Sequence, residues 1–146
     1  MFETAGNYGY EAPQVREVAA ALRRVGVRRL ALIGASVGAR AVLAVAAQRP
    51  RHLAGIVALS AERKIIPAYP GDLLPIGRRI RAPVLSIGSR QDASTSFGKD
   101  TLAWDRTIPN HRALLLSGSD RGVELLTERH RGRVRAAILS FLRQRS

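Results

Sequence analysis

Apolar positions recur along this chain with two periods, one helical and one extended, and the two alternate. Val15, Val18, Ala19, Leu22 and Val25 follow the spacing of one helix face, with Pro13 at a first helical position and Gly26 as the stop. Residues 28–34 then read as a buried strand, because Leu30 to Ile33 is uninterrupted by polar side chains. Residues 36–48 predict a largely apolar helix ended before Pro50, and residues 55–60 a second strand built on Ile56, Val57 and Leu59. Residues 61–81 carry Pro67, Pro70, Gly71, Pro75 and Gly77, which predicts an irregular excursion with room for one short helix. A third strand follows at 83–88, a helix at 96–108 and a fourth strand at 112–117. The C-terminal segment predicts a helix whose Val134, Ile138, Phe141 and Leu142 share a face. This alternation implies an α/β fold: a three-layer sandwich with a mostly parallel sheet of about four strands, covered by helices on both sides. The 146 residues suit a single domain, 1–146, around one core.

One turn in this pattern carries chemistry. Gly34-Ala35-Ser36-Val37-Gly38 joins the first strand to the second helix, the pattern of a nucleophile elbow, in which a serine projects alone from a strained strand-to-helix turn. Side chains two residues before and after the serine are expected to collide with neighbouring backbone, so glycines occupy both places. The Val37 amide is one of the first N–H groups of the following helix and is placed to stabilise negative charge on a substrate oxygen. A plain glycine-rich turn is the other reading of these five residues.

The formal charge of +13 first suggests nucleic acid. Against it, the arginines are spread over most predicted helices and loops, and aromatic residues are few and not interleaved with them, so no base-stacking surface and no specific nucleic-acid partner are expected. Non-specific, salt-sensitive attraction to polyanions follows from the charge alone. Zero cysteines exclude disulfides, thiolate metal sites and a cysteine nucleophile. Residues 1–10 lack a signal-peptide pattern and the apolar runs fall short of a membrane span, so a soluble, cytoplasmic protein without membrane contact is expected. No cofactor or metal is implied. Residues 34–39 lack the lysine of a phosphate-binding loop, a dinucleotide fingerprint would want glycine at Ser36, with Glu62 only a distant candidate for its acid, and the three histidines are far apart.

The elbow in this strand order resembles the α/β-hydrolase superfamily, of the serine esterase and dienelactone-hydrolase-like type, over its C-terminal two-thirds. Residues 27–38 are similar to that family's strand and elbow, and residues 51–60 to its next strand. The run Arg81-Ala82-Pro83-Val84-Leu85-Ser86-Ile87-Gly88, with Asp92 just beyond, resembles the strand that delivers the catalytic acid. The resemblance implies acyl-ester hydrolysis with Ser36 as nucleophile, Val37 N–H as oxyanion donor and Asp92 as orienting acid, acting on a small acyl ester or binding a carboxylate. Both Ser36 and Asp92 then lie at the carboxyl edge of the sheet, where such folds bind ligands. A turn or helix-capping role is the other reading of Asp92.

The chain departs from this family at the base. Where the family places histidine before a glycine and an apolar run, the sequence reads Ser119-Asp120-Arg121-Gly122-Val123-Glu124-Leu125-Leu126. Guanidinium stays protonated and has no acceptor, so Arg121 cannot take the serine proton. His111 and His52 precede strands and are expected at the opposite edge. His130 could serve as base only if 118–130 is irregular, and is otherwise a solvated histidine. Losing the histidine costs about a millionfold in a serine hydrolase. The predicted first helix also begins close to Met1, so the loop that supplies a second oxyanion donor is expected to be absent. The first strand is then an uncovered edge, which implies a homo-oligomer, a partner chain or a gene start upstream of Met1. Activity is accordingly expected to be impaired, the alternative being a non-catalytic small-anion-binding or protein-interaction module. An ion pair between Arg121 and Asp92 is expected in place of the acid–histidine bond.

Overall fold

All four strands run parallel and pair in chain order: β1 (Leu30–Ala35), β2 (Leu53–Leu59), β3 (Val84–Ser89) and β4 (His111–Leu116). The computed structural model describes residues 11–63 and 74–144. Helices α1 (Glu11–Arg24), α2 (Val37–Ala47), α3 (Leu74–Gly77), α4 (Lys99–Thr107), α5 (Glu124–Thr127) and α6 (Arg131–Arg143) occupy the crossovers and the C-terminus. Of the proline- and glycine-rich stretch at 61–81, residues 64–73 lie outside the described residues, and α3 is the short helix expected there.

The two-residue period of β2 explains the layers. Ile56 and Ala58 face α2 and α4, where Leu43 and Trp104 are fully buried, whereas Val57 and Leu59 face Val134, Ile138 and Phe141 of α6. Trp104 could be buried because its indole N–H donates to the Ala61 carbonyl at 3.0 Å, which ties α4 to the end of β2. On the opposite face Gly55 makes room for Phe141, since a Cβ at residue 55 would stand 2.9 Å from the ring.

Several boundaries differ from the sequence reading. The helix expected at 96–108 begins at Lys99, because Ser96, Phe97 and Gly98 adopt φ values of 53°, 57° and 78° that no right-handed helix accommodates. Pro13 is the third residue of α1, still inside the first turn, whose N–H groups need no acceptor. Val18 and Val25, assigned to the buried face of α1, are 61% and 78% exposed. The reason is position: α1 packs on α2 at the rim, and β1 has no strand on its outer side among the described residues. Ile33 is half-exposed there, and an apolar groove of about 290 Å³ lies between Val15, Val18, Leu32 and Ile33. No helix among the described residues is long and apolar enough to cross a membrane.

At the amino end of β4 the His111 side chain is almost fully buried. Its Nδ1 lies 2.7 Å from Asp105 Oδ1 and its Nε2 2.8 Å from Ser86 Oγ, so one ring locks α4 to two strands. Burial pushes the His111 pKa below its ordinary value, against a smaller upward pull from Asp105. The unfolded chain therefore takes up this proton first, and the stability is fully present above about pH 6.5 and is lost as pH falls from there toward the lower folded value. Denaturant titrations at closely spaced pH values should show this decline. His111→Gln should flatten it while lowering stability at neutral pH by about 1–3 kcal/mol through weakened bonding to Ser86 and Asp105.

Candidate active site

Ser36 occupies the turn between β1 and α2 with φ 51° and ψ −113°, a left-handed backbone that costs a non-glycine residue about 1–3 kcal/mol. The turn is held from both sides. Ser36 N–H donates to the Leu59 carbonyl at 2.8 Å, and its own carbonyl accepts from Ala39 and Arg40 N–H at 3.0 and 3.3 Å. Its hydroxyl does not cap the helix, which leaves Oγ turned outward. Val37, the first residue of α2, carries one of the helix's initial N–H groups beside it.

The two elbow glycines are not equivalent. A Cβ on Gly34 would run into the backbone carbonyl of Gly38, so residue 34 must be glycine. A Cβ on Gly38 would meet nothing, which corrects the expectation that both glycines relieve a collision.

Arg121 reaches the serine. Its Nη2 lies 3.4 Å from Ser36 Oγ and 3.5 Å from Glu62 Oε1, with 49% of the side chain exposed. Glu62 follows the carboxyl end of β2, and its other oxygen lies 3.8 Å from Arg40 Nη1. The loop bearing Arg121 is fastened at three points. Gly122 N–H donates to Ser60 Oγ at 2.9 Å, Ser89 Oγ donates to the Asp120 carbonyl at 2.7 Å, and Gln91 N–H donates to the Gly118 carbonyl at 2.9 Å. Gly122 has φ 54°, and a Cβ added there would stand 3.7 Å from Ser36 Cβ.

The expected ion pair between Arg121 and Asp92 does not form. Asp92 Oδ1 instead accepts from the N–H and hydroxyl of Ser94 at 2.9 and 2.6 Å, capping a short 3-10 turn at Ala93–Thr95. Sheet order supplies the reason: Glu62 emerges from β2, next to the strand of Ser36, whereas Asp92 emerges from β3, about one strand spacing of 4.8 Å further away. Asp92 is only 3% exposed, and its Oδ2 has no hydrogen-bond donor among the described residues.

His130 returns to the carboxyl end of β4 because the 118–130 segment is broken into a turn and the short α5 rather than forming one helix. Its Nε2 lies 2.7 Å from the Ser117 carbonyl, and a ring nitrogen facing a carbonyl is the one that carries the proton. The structure does not bring it into hydrogen-bond contact with Ser36 or Asp92. His52 is exposed at the amino edge, as is expected of a residue that precedes β2. Among the described residues no group of three histidine or acidic side chains could hold a metal ion. Glu62 and Ser60 are the site residues that the sequence reading did not place. The available signal was their position directly after β2, at the same edge as Ser36.

Comparison with solved structures shows the fold: the chain has an α/β-hydrolase fold in partial form. It is similar to a predicted CIB-like hydrolase from Thermoplasma acidophilum at 23% identity and a TM-score of 0.73, covering 97% of this chain and 62% of that one. A Pyrococcus furiosus esterase matches at 15% identity and 0.74, over 98% and 64% of the respective chains. Proline iminopeptidase of Mycobacterium smegmatis matches at 14% and 0.76, over 97% and 74%. The chain thus spans less than two-thirds of the length of two of these neighbours. No protein-family model and no curated protein matches the sequence. Neighbours that include an esterase and a peptidase share a scaffold rather than a substrate.

The elbow geometry separates its two glycines experimentally. Gly34→Ala should cost about 1–3 kcal/mol because backbone must move. Gly38→Ala should change stability by no more than about 1 kcal/mol, in the stabilising direction, because it only improves helix propensity. Paired thermal melts read the difference.

Proposed function

We propose that the chain carries an acyl-transfer site of serine-esterase type in which Ser36 is the nucleophile and the Val37 N–H an oxyanion donor, with the base position filled by Arg121. The observation that supports this most directly is the left-handed Ser36 at a strand-to-helix turn, its hydroxyl uncapped and 3.4 Å from the guanidinium. In acyl transfer the serine oxygen bonds to the acyl carbon while its proton passes to a base, which then protonates the departing alkoxide. Arg121 can only donate. Its charge favours an ionised serine and a tetrahedral oxyanion, but no imbalance of charge supplies the missing proton acceptor, so turnover of short acyl esters lies near background.

A second reading rests on the half-exposed guanidinium. With the Ser36 hydroxyl beside it, Arg121 is placed to bind a small carboxylate without reaction, in competition with Glu62.

Restoring a base distinguishes these readings. Arg121→His should raise p-nitrophenyl acetate hydrolysis by about 10²- to 10⁴-fold, with a rise through the imidazole pKa in the pH–rate profile. In that background Ser36→Ala should abolish the gain, and Glu62→Gln should remove more of it than Asp92→Asn, because Glu62 is the acid that faces residue 121. No gain, together with benzoate binding lost in Arg121→Ala, would replace the esterase reading with the carboxylate-binding one. Rapid fluorophosphonate labelling of the unmodified protein at Ser36 would contradict the claim that a base is missing.

A further inference from the structure

A row of exposed arginines lies along the amino edge of the sheet, opposite the Ser36 edge. Parallel pairing brings all four strand starts to one side, and each start carries arginine. Arg28 and Arg29 lead into β1, Arg49 and Arg51 into β2, and Arg79 and Arg81 into β3, all of them exposed. Arg112, also exposed, is the second residue of β4. The clusters touch: Arg23 donates to the Arg51 carbonyl at 3.5 Å, Arg49 donates to the Arg79 carbonyl at 3.1 Å, and Arg49, His52 and Arg81 line a shared cavity of about 280 Å³. None of these arginines has a carboxylate partner among the described residues, and the acid at this edge, Asp105, is bonded to His111. The carboxyl edge is different, since Arg121 meets Glu62 there and Arg129 meets Asp120, with Glu124 and Glu128 nearby.

We propose that this arginine-lined amino edge binds the phosphodiester backbone of duplex nucleic acid without reading its sequence. Three inter-strand spacings make the strand starts about 14 Å wide, the rise of about four base pairs carrying about eight phosphates. Guanidinium suits this ligand because its planar donors pair two at a time with phosphate oxygens. The aromatic side chains of the described residues are Phe97 at the other edge and the buried Trp104 and Phe141, so the described residues of this face offer no platform for stacking unpaired bases. The same lack of exposed aromatic anchors among the described residues of this face disfavours a lipid surface, where rings would enter the interface. Backbone contacts alone position a duplex without specifying its sequence.

Fluorescence anisotropy with a short mixed-sequence DNA duplex over about 50–200 mM salt tests the assignment. The triple variant Arg28→Ala, Arg51→Ala, Arg81→Ala should bind at least about tenfold more weakly and lower the slope of log affinity against log salt by up to about 2.7. Its lysine counterpart at the same three positions should keep most of that slope. A control triple with the same charge loss on exposed turns of α6, Arg131→Ala, Arg133→Ala, Arg135→Ala, should change affinity by less than about threefold. Unchanged thermal melts establish that each variant is folded. Equal losses in the two alanine triples would overturn the proposal in favour of diffuse net charge. Binding to phosphatidylserine vesicles but not to duplex would overturn it in favour of a membrane surface.

Discussion

The close approach of the Gly38 carbonyl to the α-carbon of Gly34 governs the geometry of the carboxyl edge. Only a glycine at residue 34 permits it, and with it the reversal within the few residues between β1 and α2. That reversal places Ser36 in a left-handed conformation, aims its amide at Leu59 and frees its hydroxyl from the helix it precedes. The later strands add to this edge in order. The β2 end supplies Ser60 and Glu62, the β3 end supplies Ser89 and Gln91, and together they hold the loop that lays Arg121 over the serine. Apolar packing on both faces of β2 keeps these ends in register.

The strands and most helices were legible because buried parallel strands read as continuous apolar runs, and α2 and α6 show unbroken helical spacing. The errors fall where local pattern and tertiary position part. Val18 has helical spacing but sits on a rim where none of the described elements covers it. Residues 96–98 include a phenylalanine with no local signature of a left-handed turn, so the start of α4 was placed too early. At the site, Ser36 and Arg121 were readable from motif and order. The partner of Arg121 was not, because Asp92 and Glu62 both follow strands and only strand order decides which lies beside Ser36.

The arginines show the same limit on a larger scale. Spaced along the chain in pairs and triplets, they form no linear run, and a window-based reading treats them as solvated faces. A parallel sheet joined by crossovers folds every strand start to one edge, so residues about 20–30 positions apart become neighbours, as the contact between Arg49 and the Arg79 carbonyl records. Charge dispersed in sequence is thus brought together along one edge, where it can act beyond single contacts over about one Debye length.

An arginine beside the serine supports a different kind of chemistry from an imidazole. An imidazole both accepts and returns a proton near neutral pH, whereas a guanidinium offers fixed charge and donors only. Fixed charge stabilises an anion that is already formed, be it an alkoxide, an oxyanion or a bound carboxylate, but leaves the proton of a neutral hydroxyl where it is. On the proposed reading, the uncapped serine beside the guanidinium would have an oxyanion donor in the Val37 amide but no proton relay. Glu62 is held beside Arg121 and Arg40, so its charge is balanced from two sides. Electrostatic stabilisation and proton transfer are separable parts of such a site, and on the proposed reading Arg121 supplies only the first.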